Sequence, residues 1–124
     1  MVALYTIATI LFLHWVFDFH LQDDDMAKGK SSCNRSLTDH VAVYTVGLIV
    51  MGLSNVVYFH NWSYVAVFVI LNAIIHWCVD WVTSRASSSL FKEGRVHDFF
   101  VVVGFDQYLH AISLFGTFVW LTNL

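Results

Sequence analysis

The sequence predicts an all-α protein: a four-helix bundle that crosses a membrane, with both termini outside and two polar loops in the cytoplasm. Three observations carry that expectation. Four apolar runs, at about 2–22, 40–60, 64–84 and 99–122, each match the ~20 residues that a helix needs to cross ~30 Å of hydrocarbon. The chain is 58% hydrophobic and only 12% charged, where a soluble domain carries about 25% charged residues. None of the 124 residues is proline, so no ring interrupts a long helix. β-Branched and aromatic residues are frequent, but no run alternates as a barrel strand does, and each is about twice a barrel strand's length.

The first span opens the chain as MVALYTIATILFLHWVF. It has neither a basic leader nor a small-residue cleavage site, so it is expected to stay as a span rather than be removed as a signal peptide. A long polar loop follows, from the Asp23-Asp24-Asp25 run to Asp39. The aspartate run reads as a solvated helix end, with Asp23 near enough to the first span's polar residues to stay open as a ligand. A tight turn around His60, Asn61, Trp62 and Ser63 joins the second span to the third. A loop carrying Arg85, Ser87-Ser88-Ser89, Lys92, Glu93, Gly94 and Arg95 joins the third to the fourth. No repeat or second domain is visible, so residues 1–124 form one integral membrane domain.

Charge sets the expected orientation. Lys28, Lys30 and Arg35 lie in the first loop and Arg85, Lys92 and Arg95 in the third; these are all six cations. With four spans, those loops share a side, and the positive-inside rule makes it cytoplasmic. Trp62, Tyr64 and Trp120 suit the opposite interface. The net charge of -3 with no basic stripe removes the electrostatic footprint of nucleic-acid binding. Cys33 in the polar loop and Cys78 inside an apolar run give neither a disulfide expectation nor a zinc-binding C-x-x-C spacing.

The chemistry lies in repeated pairs. The first span carries His14 and Asp18, with Gln22 four further on. The third carries His76 and Asp80, with Ser84 four further on. The fourth carries Asp106 and His110, with Gln107 beside them, and His40 opens the second. Residues four apart share a helix face, and at ~100° per residue His14, Asp18 and Gln22 fall within about 80°. Alternating span directions bring all seven ionisable groups to one depth near the cytoplasmic side. Scattered core histidines have no reason to share a depth, although a single buried His bonded to Asp is the commoner meaning of any one pair.

An unpaired charged aspartate at a span's centre costs ~2.5–3.5 kcal/mol on insertion scales. No lysine or arginine lies within the spans to offset Asp18, Asp80 and Asp106, so one or two divalent cations are the expected counter-charge. His nitrogen and Asp oxygen without thiolate suit Zn²⁺ first, with Mn²⁺ or Fe²⁺ as alternatives. His14, Asp18, His40, His76, Asp80, Asp106 and His110 are the expected ligands. Gln22, Lys28, Ser84, Arg85 and Gln107 border them as substrate-binding or supporting groups. His20, His60 and His97 read as surface or interfacial residues, His97 in a loop.

At these positions the sequence resembles a family of small bacterial and phage inner-membrane proteins of unknown function. The resemblance rests on His14, Asp18, Phe19, Leu21 and Gln22, then Met26, Ala27 and Lys28, on Leu37 and His40, on His76 and Asp80, and on Asp106, Gln107 and His110. The three aspartates after Gln22 depart from its pattern. That family is distantly similar to membrane-bound metal-dependent hydrolases, which implies a multi-pass protein of the bacterial or phage-infected host inner membrane. It also implies hydrolysis. A site opening to the cytoplasmic leaflet suggests a lipid head group, a lipid-linked molecule or a small phosphorylated compound. Membrane lipids and a second copy of the chain are the expected macromolecular surroundings. A transporter or channel for metal ions, protons or small solutes is the rival expectation, with a phage or host membrane adaptor as a third.

Overall fold

A computed structural model describes residues 4–124, so the first positions of the expected first span lie outside the described residues. Those described are helical throughout the structured elements, with no strand among them. Helix α1 (Leu4–Trp15) runs into a π-helical turn, Val16–His20; α2 (Asp24–Gly29) is short; α3 (Asn34–Ser54), α4 (Trp62–Lys92) and α5 (Val96–Thr122) are long. The last three are long and apolar enough to cross a membrane, and Leu4–His20 is a shorter apolar helix. α4 packs against both α3 and α5, and α1 lies across α3 and touches α5.

Local chemistry explains the ends. Asp23 caps α2, its Oδ1 accepting the Met26 N–H at 2.8 Å, and Asp24 pairs with Lys28 across one turn. The aspartate run is therefore a cap and acidic first turn that complement the helix dipole. Asn61 caps α4 by accepting the N–H groups of Ser63 and Tyr64. α4 stops at Gly94, whose φ of 72° allows the paired bonds from Gly94 N to Phe91 O and from Arg95 N to Leu90 O that close a helix C-terminus.

Several boundaries differ from the sequence expectation. The third helix reaches Lys92 rather than about residue 84, because the serine run between Ala86 and Leu90 continues the helix and only Glu93–Arg95 remains as a turn. His97 consequently lies in the first turn of α5. The second helix begins at Asn34 and ends at Ser54, where Asn55 turns its side chain back onto the Met51 carbonyl. The first helix ends near His20, its last turn widened by a 2.9 Å bond from Leu21 N to Val16 O. Gln22 thus leaves the helix instead of continuing its face.

The packing is apolar outside and divided within. Leu4, Phe12, Ile70, Phe100, Val101 and Tyr108 are among the exposed large apolar residues, far more apolar surface than a soluble monomer presents. One half of the interior is hydrophobic: Ile10, Leu48, Met51, Phe68, Leu114 and Phe118 bury against one another. The other half is polar, with His14, Asp18, His40, His76, Asp80 and His110 all buried. Between them, Asn72 donates to Thr117 across α4 and α5 at 2.7 Å.

The contact between the π turn and α3 is close at Gly47, where an added Cβ would lie 2.5 Å from the Phe17 ring. Small residues at such crossings let helices approach closely. Gly47→Ala is expected to destabilise the fold by about 1–3 kcal/mol through overpacking, read as a lower thermal midpoint in detergent. Phe17→Ala in the same chain should recover part of that loss. An unchanged midpoint for the single variant would show that the helices do not meet here.

Candidate metal centre

Four side chains from three helical segments converge on one point. Asp18 comes from the π turn, His40 from the second turn of α3, and His76 and Asp80 from successive turns of α4. His40 Nε2 lies 3.1 Å from Asp18 Oδ1, 3.2 Å from His76 Nε2 and 3.3 Å from Asp80 Oδ2. His76 Nε2 lies 3.3 Å from Asp18 Oδ1 and 3.7 Å from Asp80 Oδ2. A ring N–H carries one proton and points it at one acceptor, so three close partners around a single nitrogen exceed what hydrogen bonding uses. Four ligands 2.0–2.2 Å from a central zinc stand roughly 3.3–3.6 Å apart in a tetrahedron, close to the five separations above. The buried Asp18, His40, His76 and Asp80 can therefore hold a metal ion.

Asp80 also belongs to a second group. Its Oδ1 lies 3.0 Å from His110 Nε2, which is 3.4 Å from Asp106 Oδ1. Asp80, Asp106 and His110 offer ligand atoms close enough for an ion of their own. The two oxygens of Asp80 face the two groups separately, the arrangement of a carboxylate that bridges two ions about 3.5–4 Å apart. His76 and His110 stack with ring centres 4.1 Å apart, which fixes both imidazole planes. The Nδ1 atoms of His40, His76 and His110 are buried without a hydrogen-bond partner among the described residues, so each of these rings directs only Nε2 at the cluster.

His14 lies outside both groups. Gln107 fixes its role: the Gln107 amide nitrogen donates to Asp18 Oδ2 at 3.2 Å and to Asp106 Oδ2 at 2.9 Å. Its Oε1 must then be the acceptor facing His14 Nε2 at 2.9 Å. His14 Nε2 carries a proton, and a neutral ring accepts the Tyr44 hydroxyl at Nδ1, 2.9 Å away. His14 and Gln107 thus hold the carboxylates in place as neighbours of the ligand atoms.

No lysine or arginine lies within the expected spans, but a loop cation supplies part of the counter-charge that the sequence reading gave to metal alone. Lys30 reaches in from the first loop and donates to Asp80 Oδ2 at 3.0 Å, with its side chain only 20% exposed. A lysine stem can follow apolar surface and deliver its charge to a site distant in sequence. The loop backbone is held there too, since Ser84 donates to the Lys30 carbonyl. Lys30 was illegible by helical spacing. Tyr44, four residues after His40, and Thr83, three after Asp80 and donating to Asp106 at 2.5 Å, carried that signal and were passed over.

A cavity of about 590 Å³ opens beside the cluster, lined by Asp18, Asp80 and Asp106 at its base. Gln22, Lys28, Ser84 and Gln107 all line it, whereas Arg85 does not. Arg85 instead donates to Asn34 Oδ1 at 2.8 Å and to the Trp81 carbonyl, with its guanidinium 4.5 Å above the Trp81 ring. It clamps the start of α3 to α4. His20 stacks on Trp15, and His60 and His97 are exposed, all three away from the cluster.

This helical chain with a buried His/Asp centre is matched over residues 6–123 by a family model described as protein of unknown function, DUF3307. The chain belongs to that family. A search of the curated proteins found no match, and neither did a search of the solved structures.

With micromolar free zinc, elemental analysis of detergent-purified protein is expected to find bound metal in the wild type. None should remain in Asp80→Ala, which removes a ligand from both groups, and His40→Ala should lose the quartet's ion. His14→Gln should keep its metal with affinity weakened by about 10–100-fold, the usual effect of losing an outer partner. Full metal content in Asp80→Ala would remove the quartet as the binding site.

Proposed function

We propose that this protein is a membrane-embedded, metal-dependent hydrolase whose site faces the cytoplasm, acting on a lipid head group, a lipid-linked molecule or a small phosphorylated compound. The observation that carries the reading is the close-set quartet of Asp18, His40, His76 and Asp80, whose two carboxylates line a cavity large enough for a substrate. Ligand sites commonly occupy ~300–1,000 Å³, and a buried cluster without such a cavity would serve structure alone. The reading includes four spans with both termini outside, because Lys28, Lys30 and Arg35 lie between the end of the first helix and the first turn of α3, and Arg85, Lys92 and Arg95 lie between the last turns of α4 and the start of α5.

Zinc is the ion best suited to two imidazoles and two carboxylates, and it supplies Lewis acidity and a water of lowered pKa. The chain's own residues do the rest. Asp106 faces the cavity with 13% of its side chain exposed, held by Thr83 and Gln107. It accepts the proton that an attacking water gives up as the new phosphorus–oxygen bond forms. Lys30 and Ser84 hold the phosphoryl oxygens, and the departing alcohol oxygen takes back from Asp106 the proton that the water gave up as its bond to phosphorus breaks. The products are an alcohol and a phosphate, with water consumed.

The apolar half of the bundle favours this reading over a conduit for ions or solutes. A transport path would have to pass Ile10, Leu48, Met51, Phe68, Leu114 and Phe118, all essentially without exposure. Polar intramembrane groups in transporters usually line a continuous pathway.

Two measurements test the proposal. Chelation of the purified protein should reduce hydrolysis of p-nitrophenyl phosphate and of phosphorylated lipids to background, and added zinc should restore it. Turnover that persists through chelation would overturn the reading. Orientation can be read at Cys33, which is exposed at the start of α3. The backbone N–H groups of Ser36 and Arg35 hold its thiol below the usual value, which raises the thiolate fraction and its reactivity. In a Cys78→Ser background, a membrane-impermeant maleimide should label Cys33 in inside-out vesicles and spare it in right-side-out ones. The reverse pattern would invert the assigned topology.

A further inference from the structure

We infer that the ligand of this centre is a single amphiphile, with a phosphate-type head in the cavity and a hydrocarbon tail in an apolar groove on the outer face of α4 and α5. The inference deepens the hydrolase reading and takes its cavity as the head-group site.

The head-group chemistry follows from the lining. The charged residues of the cavity are Asp18, Asp80, Asp106, Lys28 and Lys30, one negative charge in excess. A single divalent ion in the quartet reverses that sign, so the loaded cavity favours an anion. Lys30 already sits at the metal-facing carboxylate, and its ammonium has three donors for a bond to Asp80 plus others to an anion. Ser84, Ser87 and Ser88 share the α4 wall of the cavity at helical spacing that presents them on one side. A divalent ion, an ammonium and a row of hydroxyls are the donors that bind phosphoryl oxygens.

The tail is required by what lies next to those donors. Phe91, Phe99, Val102 and Val103 line the same cavity, and that part of its wall offers nothing to a small hydrated anion. A second hollow of about 430 Å³, formed by Cys78, Val79, Val82, Ala86, Phe105 and Leu109, lies beside the first, with Thr83 and Val102 lining both. Its lining is almost wholly apolar apart from Thr83. The groove belongs to the face where Val82, Val101 and Phe105 are exposed, the face that hydrocarbon covers in a membrane. Anion-binding groups at one end and an adjoining apolar channel at the other fit a lipid entering sideways from the bilayer. A free phosphorylated metabolite would use only the polar end.

Cys78 lies in the groove and is exposed, and Cys33 lies exposed at the start of α3, so alkylation of the two thiols reports groove occupancy with an internal reference. The zinc-loaded, detergent-purified full chain would be treated with N-ethylmaleimide beside hexadecylphosphonate, butylphosphonate or hexadecyltrimethylammonium. Hexadecylphosphonate at ten times its Kd should slow Cys78 labelling by about tenfold and leave Cys33 unchanged. Butylphosphonate should occupy the head site without protecting Cys78, and the cationic amphiphile should protect little. Ala86→Trp, which fills the groove away from the metal cavity, should abolish the protection while leaving butylphosphonate affinity unchanged; Lys30→Gln should weaken both phosphonates.

Equal protection by the cationic amphiphile would overturn the inference, since the groove would then take any hydrocarbon. Equal affinity for the two phosphonates, with Cys78 unprotected, would overturn it as well. In that case chelation-sensitive hydrolysis of p-nitrophenyl phosphate would still stand for the hydrolase reading. Conversely, zinc-dependent protection by hexadecylphosphonate in a protein without turnover would uphold the amphiphile site and reject the hydrolase.

Discussion

Two carboxylates meet two imidazoles in the polar half of this bundle, and the rest of the structure is arranged to make that meeting tolerable. Asp18 and Asp80 are 3% and 1% exposed and His40 and His76 are 0% and 1% exposed. Charges removed from water at that depth carry penalties of several kcal/mol each unless close partners offset them. The partners come from every side: Lys30 on one oxygen of Asp80, His110 on the other, and Gln107 on Asp18. A divalent ion at the centre of the quartet would place the strongest opposite charge where both carboxylates and both Nε2 lone pairs already point. The π turn fits the same logic, because it swings Asp18 inward at the end of a helix that would otherwise have carried its face onward to Gln22.

Asymmetry between the helices gives the cluster its access. The π turn that follows α1 ends two residues after Asp18, whereas α4 continues for twelve residues beyond Asp80, a further ~18 Å of helix at 1.5 Å per residue. The α4–α5 hairpin therefore overhangs the end of α1, and the first loop folds under it with Lys30 held between Asp80 and Ser84. The space left between overhang and loop is the cavity. A bundle of four equal helices would have sealed the same ligands inside. The apolar packing of Ile10, Leu48, Phe68 and Phe118 at the other end closes the site from that side.

Much of this was legible in the sequence because helical spacing is a simple rule. His14/Asp18, His76/Asp80 and Asp106/His110 repeat it three times, and the structure brings all three pairs together with His40. The rule also favoured wrong details. It carried Gln22 onto the face of Asp18 because nothing in the residues 16–20 announces a π turn. It ended the third helix near Ser84 because serines and charges usually mark loops, although Leu90 and Phe91 continue the pattern to the glycine stop at Gly94. It set Arg85 among the substrate-binding or supporting groups from proximity along the chain, and in the structure the arginine donates to Asn34 and the Trp81 carbonyl and does not line the cavity. Lys30 obeys no spacing rule at all; only the need for a positive charge near Asp80 pointed to it, and that need was assigned wholly to metal. His14 illustrates a different limit, since it lies outside both groups that could hold an ion and reaches their carboxylates through one amide, Gln107.

The account's central claim is that Asp18, His40, His76 and Asp80 surround one metal ion. X-ray absorption at the zinc edge of the purified, zinc-loaded protein tests it most directly. The expected spectrum has four nitrogen or oxygen neighbours at about 2.0–2.1 Å with outer-shell scattering from two imidazoles and no sulfur. A sulfur neighbour at about 2.3 Å, or a shell of oxygens without imidazole scattering, would contradict it.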